Sequence, residues 1–242
     1  MGIFGFDDQP AKDGAVARRR SALEQAGEQQ QEGGLAGMAT DLVERLLDAG
    51  IDGRGPFDSA ADVARKARDG SSSDEAAIDA IVRKHLATAA AGGFVTGLGG
   101  FITMPIALPV NVVEFYLVAT RMVAAIAQLR GYDLAQPQIR TAVLLTLVGA
   151  DADDLLKKAG VVGGLGAGGR ITNLAVQRLP GPALMVINKA IGFRLVSRAG
   201  RGVLSRLGKG VPFAGGIIGA GLDGYLIKRI GDNAKAEFPR RG

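Results

Sequence analysis

Catalysis and metal binding need side chains that gain, lose or share protons, and this chain offers few of them in useful company. His85 is the only histidine and cysteine is absent, which removes disulfides, thiol nucleophiles and thiolate metal sites. Arg83 and Lys84 precede His85, and no spacing supplies it with triad or zinc partners; placement at a helix flank is expected. Asp151, Asp153 and Asp154 resemble a cation cluster, but the positive end of a helix dipole favours carboxylates in a first turn. No metal and no cofactor is expected. Glu114 and Arg121 are different, being the only charges between Leu86 and Leu129. Their spacing puts them on one helical face, and isolated buried charge is costly, so a buried polar pair is expected. A ligand-lining role for Glu114 is the alternative.

Glycine is the next unusual resource: 37 of 242 residues, roughly twice the usual share of about 7%. Gly164, Gly166 and Gly169 have the letters of a dinucleotide fingerprint. That motif works only when a strand feeds it, and here a helix does, so an interhelical loop is expected. Arg170 at the following helix start could still meet an anion. Gly208-Lys209 is followed by Gly210, not by the Ser or Thr of a phosphate loop. Gly215 and Gly219, then Gly216, Ala220 and Gly224, recur at intervals of four, as do Gly93 and Gly97. Such rows let helix backbones approach closely, in tightly packed soluble bundles and in bilayers alike.

Charge is divided along the chain. Residues 1–154 hold 14 Lys+Arg against 21 Asp+Glu, and residues 155–242 hold 15 against 3. No acid stands between Asp154 and Asp223. A basic half of this kind fits something anionic. Arg194, Arg198 and Arg201 fall within about 60° of one another on a helix, and Val196, Val203, Leu204 and Leu207 lie opposite. With Arg206 and Lys209 nearby, this reads as a basic amphipathic helix suited to anionic lipid headgroups; a solvated face of a core helix is the plainer reading. Nucleic acid is disfavoured, because Phe193 and Phe213 are the only aromatic residues between 155 and 222 and stacking platforms are needed.

These residues must be positioned by helices, since no segment alternates as a strand does. Residues 1–36 are polar and aperiodic and are expected to be a disordered tail. Its opening stretch has acids where a secretory signal needs an apolar run, and Phe6 stands where a myristoylation site needs Ser or Thr. Met38, Leu42, Val43, Leu46 and Leu47 predict a short helix capped by Gly50. Further helices are expected over 60–68, over 73–91 with Ser72 and Glu75 as a capping box, from Pro109 to Gly131, over 138–149, over 151–158, and near 171–179, 182–207 and 213–237. From Leu86 to Val113 no charge occurs, a length that would span a membrane. Five glycines between Gly92 and Gly100, then Pro105 and Pro109, predict instead a helix end, a buried glycine-rich segment and a new helix.

The blocks GGFVTGLGGFITMPIALPVNV, the long helix ending IAQLRGYD, and VPFAGGIIGAGLDGYLIKRIGDNAKAEFP together resemble the EcsC protein family over roughly residues 75–238. The family's final block usually carries Asn where this chain has Asp223. The resemblance implies an all-helical fold and, through a founding member encoded beside an ABC transporter pair, a transport or secretion link. It brings no established catalytic residues.

The expectation is therefore an all-α protein with one helical domain over residues 37–238. Its expected role is that of a non-enzymatic accessory on an anionic membrane surface or a membrane protein complex, in the cytoplasm at the inner face of the cell membrane. A lipid- or small-molecule-binding enzyme of hydrolase type, with a polar pocket around Glu114, is the alternative.

Overall fold

The computed structural model describes residues 37–54, 57–98, 100–149, 152, 155, 156, 171, 173, 180–206 and 212–241, of which 38, 93–112, 182, 198–206 and 212–219 are described as backbone. Among the described residues the fold is all-α: α1 (Gly37–Arg45) running into a π-helical segment (Leu46–Asp52), α2 (Ala60–Asp69), α3 (Asp74–Leu98), α4 (Gly100–Leu129), α5 (Pro137–Val148), α6 (Gly181–Arg206) and α7 (Pro212–Glu237). The expected tail at 1–36, most of the helix at 151–158, the Gly164–Gly169 loop with Arg170, most of the helix near 171–179, and Lys209 lie outside the described residues; of the 151–158 helix, Ala152, Leu155 and Leu156 are described, helical and buried.

The core is organised around α4. Ala119, Thr120 and every residue from Met122 to Ala127 have no exposed surface, so this stretch has neighbours on all sides. The π segment, α2, α3, α5 and α7 all pack against it. Mostly small side chains on α4 let five elements close around one axis. α5 follows through the positive-φ residue Gly131 and a Pro137 start, and it is buried from Thr141 to Val148. α7 lies antiparallel on α3: Lys235 meets Asp79 at 2.7 Å, Gly231 faces Val82 and Gly224 faces Leu86. Phe238 and Tyr132 close the C-terminal end edge to face at 5.2 Å, and Arg241 lies over the Tyr132 ring at 4.3 Å.

Several boundaries differ from the sequence reading. Gly50 is not the cap: the π segment carries the chain past it to Gly53, whose φ of 77° is the left-handed turn that ends the helix. Gly50 is buried, and a Cβ there would meet Thr120 Cγ2 at 2.9 Å, so this glycine serves contact rather than termination. α3 is capped by Ser73, whose Oγ accepts from the Ala76 N–H at 3.2 Å, not by Ser72. It continues through Gly92, Gly93 and Gly97, and α4 runs through Pro105 and Pro109. Each proline removes only one rung of the helical ladder, and long helix lies beyond it.

Among the described residues, the tightest glycine contact is elsewhere. At Gly192 of α6, a Cβ would collide with the Ala39 carbonyl and approach Val43 Cγ2 at 2.9 Å; α1 and α6 touch backbone to backbone there. Gly231 is nearly as close, with Val82 Cγ2 at 3.1 Å and Met122 Cε at 3.5 Å. Of the expected packing row, Gly224 is in ordinary contact at 4.0 Å from Leu86 and Ala220 is half-buried. Gly215, Gly216 and Gly219 lie in α7 among residues described as backbone.

These distances separate two glycine substitutions that look alike in sequence. Gly192→Ala should lower stability by about 2 kcal/mol, because a backbone carbonyl cannot swing aside as a side-chain tip can. Gly221→Ala, with nothing within 4 Å of the added methyl, should raise it by up to about 1 kcal/mol through helix propensity. Urea midpoints of the two variants check the opposite signs.

Candidate functional site

The site nearest to chemistry is the C-terminal end of the π segment. A helix ends with carbonyls that have no partner in the helix and with a negative dipole end. Two arginines supply what is missing. Arg121 of α4 donates from Nη2 to the Ala49 carbonyl at 2.9 Å. Arg140 of α5 donates to Asp52 Oδ1 at 2.9 Å, closely to Asp52 Oδ2, and at 3.4 Å to the Leu47 and Leu134 carbonyls.

Arg121 has one further contact. Its guanidinium lies 4.9 Å from the Phe57 ring centroid, within cation–π range. Its Nε is buried without a hydrogen-bond partner. Burial draws its pKa below the usual arginine value, Asp58 opposes the shift, and the group stays charged.

The expected Glu114–Arg121 pair does not form. Two helical turns separate the residues by about 10 Å along the axis, so each meets different surroundings. Arg121 enters the core and finds a carbonyl. Glu114 is exposed, with Oε1 3.9 Å from the position a Cβ would take on Gly92. The lone-charge argument holds for Arg121 and fails for Glu114, because α4 is enclosed only from about Ala119 onward.

His85 is likewise not at a flank: it is 7% exposed. Arg83 and Lys84 are exposed, and the next residue turns inward with Ile78, Ile81, Val82 and Ala89. Its Nδ1 lies 2.8 Å from the Ile81 carbonyl, which can only accept, so geometry assigns the proton to Nδ1. Burial lowers its pKa, and Arg121 and Lys84 add to that against the partly offsetting hydrogen bond. His85 is neutral near pH 7.

Among the described residues no three His, Asp or Glu side chains gather as a metal site; Asp151, Asp153 and Asp154 fall outside them. No helix among the described residues is long and apolar enough to cross a membrane.

The expected basic face belongs to α6. Arg194 is half-buried and Lys189 exposed; Arg198, Arg201 and Arg206 lie on the helix as described backbone. α6 buries Leu184, Ile187, Ile191 and Leu195 against α1 and α5, and Thr141 of α5 donates to Asn188 Oδ1 at 3.1 Å. Sequence reasoning missed its opposite face, where Met185, Val186 and Phe193 are 75%, 63% and 50% exposed. At 100° per residue these three lie within about 100° of one another and away from the buried row. That clustering was the available signal.

Comparison with protein-family models, with curated proteins and with solved structures gives no match.

Two predictions follow from the geometry. Arg121→Ala orphans the Ala49 carbonyl and should cost about 2 kcal/mol, while Glu114→Ala should stay within about 0.5 kcal/mol; equilibrium denaturation reads both. For His85, the folded pKa lies below the unfolded value, so the unfolded chain binds more protons as pH falls through about 6.5. Stability is therefore full above that pH and declines below it, by at most about 1.4 kcal/mol per pH unit from this group. His85→Asn keeps a donor for Ile81 but cannot titrate; its stability should show a shallower dependence between about pH 5 and 6.5.

Proposed function

We propose that this chain is a non-enzymatic accessory protein that docks peripherally on an anionic membrane surface. The observation that carries the reading is the composition of one helix. α6 spans 26 residues and holds Lys189, Arg194, Arg198, Arg201 and Arg206 without a single acid. It sits within a half of the chain that has 15 basic residues against 3 acidic ones. Cations near an anionic leaflet each contribute about 1 kcal/mol of attraction, and the field fades within about 8 Å at physiological salt. A helix docked edge-on along that surface gathers several such contributions at once. The resemblance to EcsC proteins points the same way, through its link with membrane transport. Glu114 on an open surface gives no comparable support to a hydrolase-like pocket.

The test is co-sedimentation with vesicles containing phosphatidylserine and with neutral phosphatidylcholine vesicles, at low and high salt. Wild type should bind the anionic vesicles at low salt and release substantially as salt rises. Arg194→Glu, Arg198→Glu and Arg201→Glu combined should weaken that binding by at least about 100-fold, from three lost attractions before repulsion is added. Circular dichroism checks that the helices remain, as similar propensities of Arg and Glu lead one to expect. Equal binding by variant and wild type, or wild-type binding that ignores lipid charge, would refute the reading.

A further inference from the structure

We infer that the Arg121 guanidinium is an anion site, one that receives the carboxylate of a small organic acid whose apolar body rests on the Phe57 ring. The balance of charge around the end of the π segment is what singles it out. Every acid of residues 46–59 has a cation of its own: Asp48 meets Arg54 at 3.2 Å, Asp52 is bound by Arg140, and both oxygens of Asp58 take the Lys66 ammonium, at 2.8 and 2.7 Å. Arg121 is left over. Asp58 is near enough to bear on its charge, yet among the described residues no carboxylate pairs with it, whereas Arg54, Arg65, Arg68, Arg130 and Arg140 each meet one. The negative end of the π segment offsets about half an elementary charge at most. A net positive charge remains.

The guanidinium is also aimed. Its Nη2 is fixed on the Ala49 carbonyl at 2.9 Å, its Nε is sealed from solvent, and Nη1, which has no hydrogen bond among the described residues, is not sealed. The donors that remain therefore point one way. Arg121 is half-buried, so an anion reaching Nη1 meets a cation that has shed part of its hydration, and a charge-assisted bond is stronger there than on an open surface. Phe57 forms the wall beside it. The ring lies 4.9 Å from the guanidinium carbon and is 50% exposed, which offers apolar contact to whatever is attached to the anionic group. A planar carboxylate matches the planar guanidinium, whereas a phosphate dianion calls for a second cation, and Arg54, Lys66 and Arg140 are each held by an acid. π turns recur at functional sites, and this one ends on the proposed site.

The test follows the arginine Nε–H correlations in nitrogen-15 spectra of the full chain, without lipid, during titration with benzoate. A sealed Nε–H exchanges slowly with water, so Arg121 should give a persistent cross-peak, assigned by its loss in Arg121→Lys and by its ring-current shift in Phe57→Ala. Benzoate at millimolar concentration should move that peak along a saturable curve, while benzamide, similar in shape but uncharged, should leave it in place. Phe57→Ala removes a half-exposed ring and should weaken benzoate binding by about 5-fold with acetate binding unchanged. The site is overturned if benzoate produces no saturable shift in the wild type, or if sodium chloride or benzamide produces the same one. Saturation by inorganic phosphate at lower concentration than benzoate overturns the carboxylate assignment, and undiminished benzoate affinity in Phe57→Ala overturns the role of the ring. Should Arg121→Lys fail to fold, the wild-type and Phe57→Ala titrations still decide each of these points.

Discussion

A positive charge in the most enclosed helix of the fold is the constraint around which its neighbours are arranged. Arg121 interrupts a run of α4 that otherwise has no exposed surface, and a guanidinium there must be given acceptors or a route to solvent. The fold supplies an acceptor from backbone. The helix that begins as α1 widens into a π segment, and the Ala49 carbonyl near its end accepts a hydrogen bond from Arg121. An isolated π turn is rare and is usually retained where something depends on it. Here the dependence is visible: Gly50, inside that turn, is the position at which a Cβ would strike Thr120, the residue next to Arg121. The turn thus sits close against α4 because of a glycine, and its exposed dipole end is closed because of an arginine.

Arg140 extends the same arrangement to α5. It binds Asp52 and reaches the Leu47 and Leu134 carbonyls, so one side chain joins the end of the π segment to the loop that precedes its own helix. The stabilisation of such partly exposed pairs is modest, about 0–1 kcal/mol for the ion pair itself. Their larger effect is on specificity, since each carbonyl left unpaired would cost about 1–3 kcal/mol in a competing arrangement.

Periodicity revealed most of the helical architecture, and the departures share a cause. The starts and ends of α5, α6 and α7 fall within a residue or so of what apolar spacing and proline placement predict, because those signals are local. Gly50 was read as a cap on the same local logic, but a glycine is also chosen where another backbone or side chain approaches, and only the fold reveals that Thr120 is there. Gly192 is the sharper instance: no four-residue row marks it, yet α1 meets α6 at that point. The Glu114–Arg121 expectation assumed that one helix is buried along its whole length. Where the surrounding helices enclose α4 is a tertiary property that no window of sequence carries. His85 was more legible than its polar neighbours suggested, since it keeps four-residue spacing from Ile81 and to Ala89, both buried.

The two faces of α6 have different physical duties, and the fold keeps them apart. Its inner face is fixed at two places of different character: a backbone contact at Gly192 with α1 and a hydrogen bond from Thr141 of α5 to Asn188. Both supporting helices are themselves tied together through Arg140 and the π segment. A helix referenced to the core in this way can carry exposed methionine, valine and phenylalanine without reburying them, because rotating that face inward would break the Gly192 contact and expose Ile187 and Ile191. Apolar exposure on α6 is therefore imposed by the packing behind it. A surface helix whose exposed row cannot escape exposure by rolling keeps those side chains hydrated, a cost that burial against any apolar neighbour would remove.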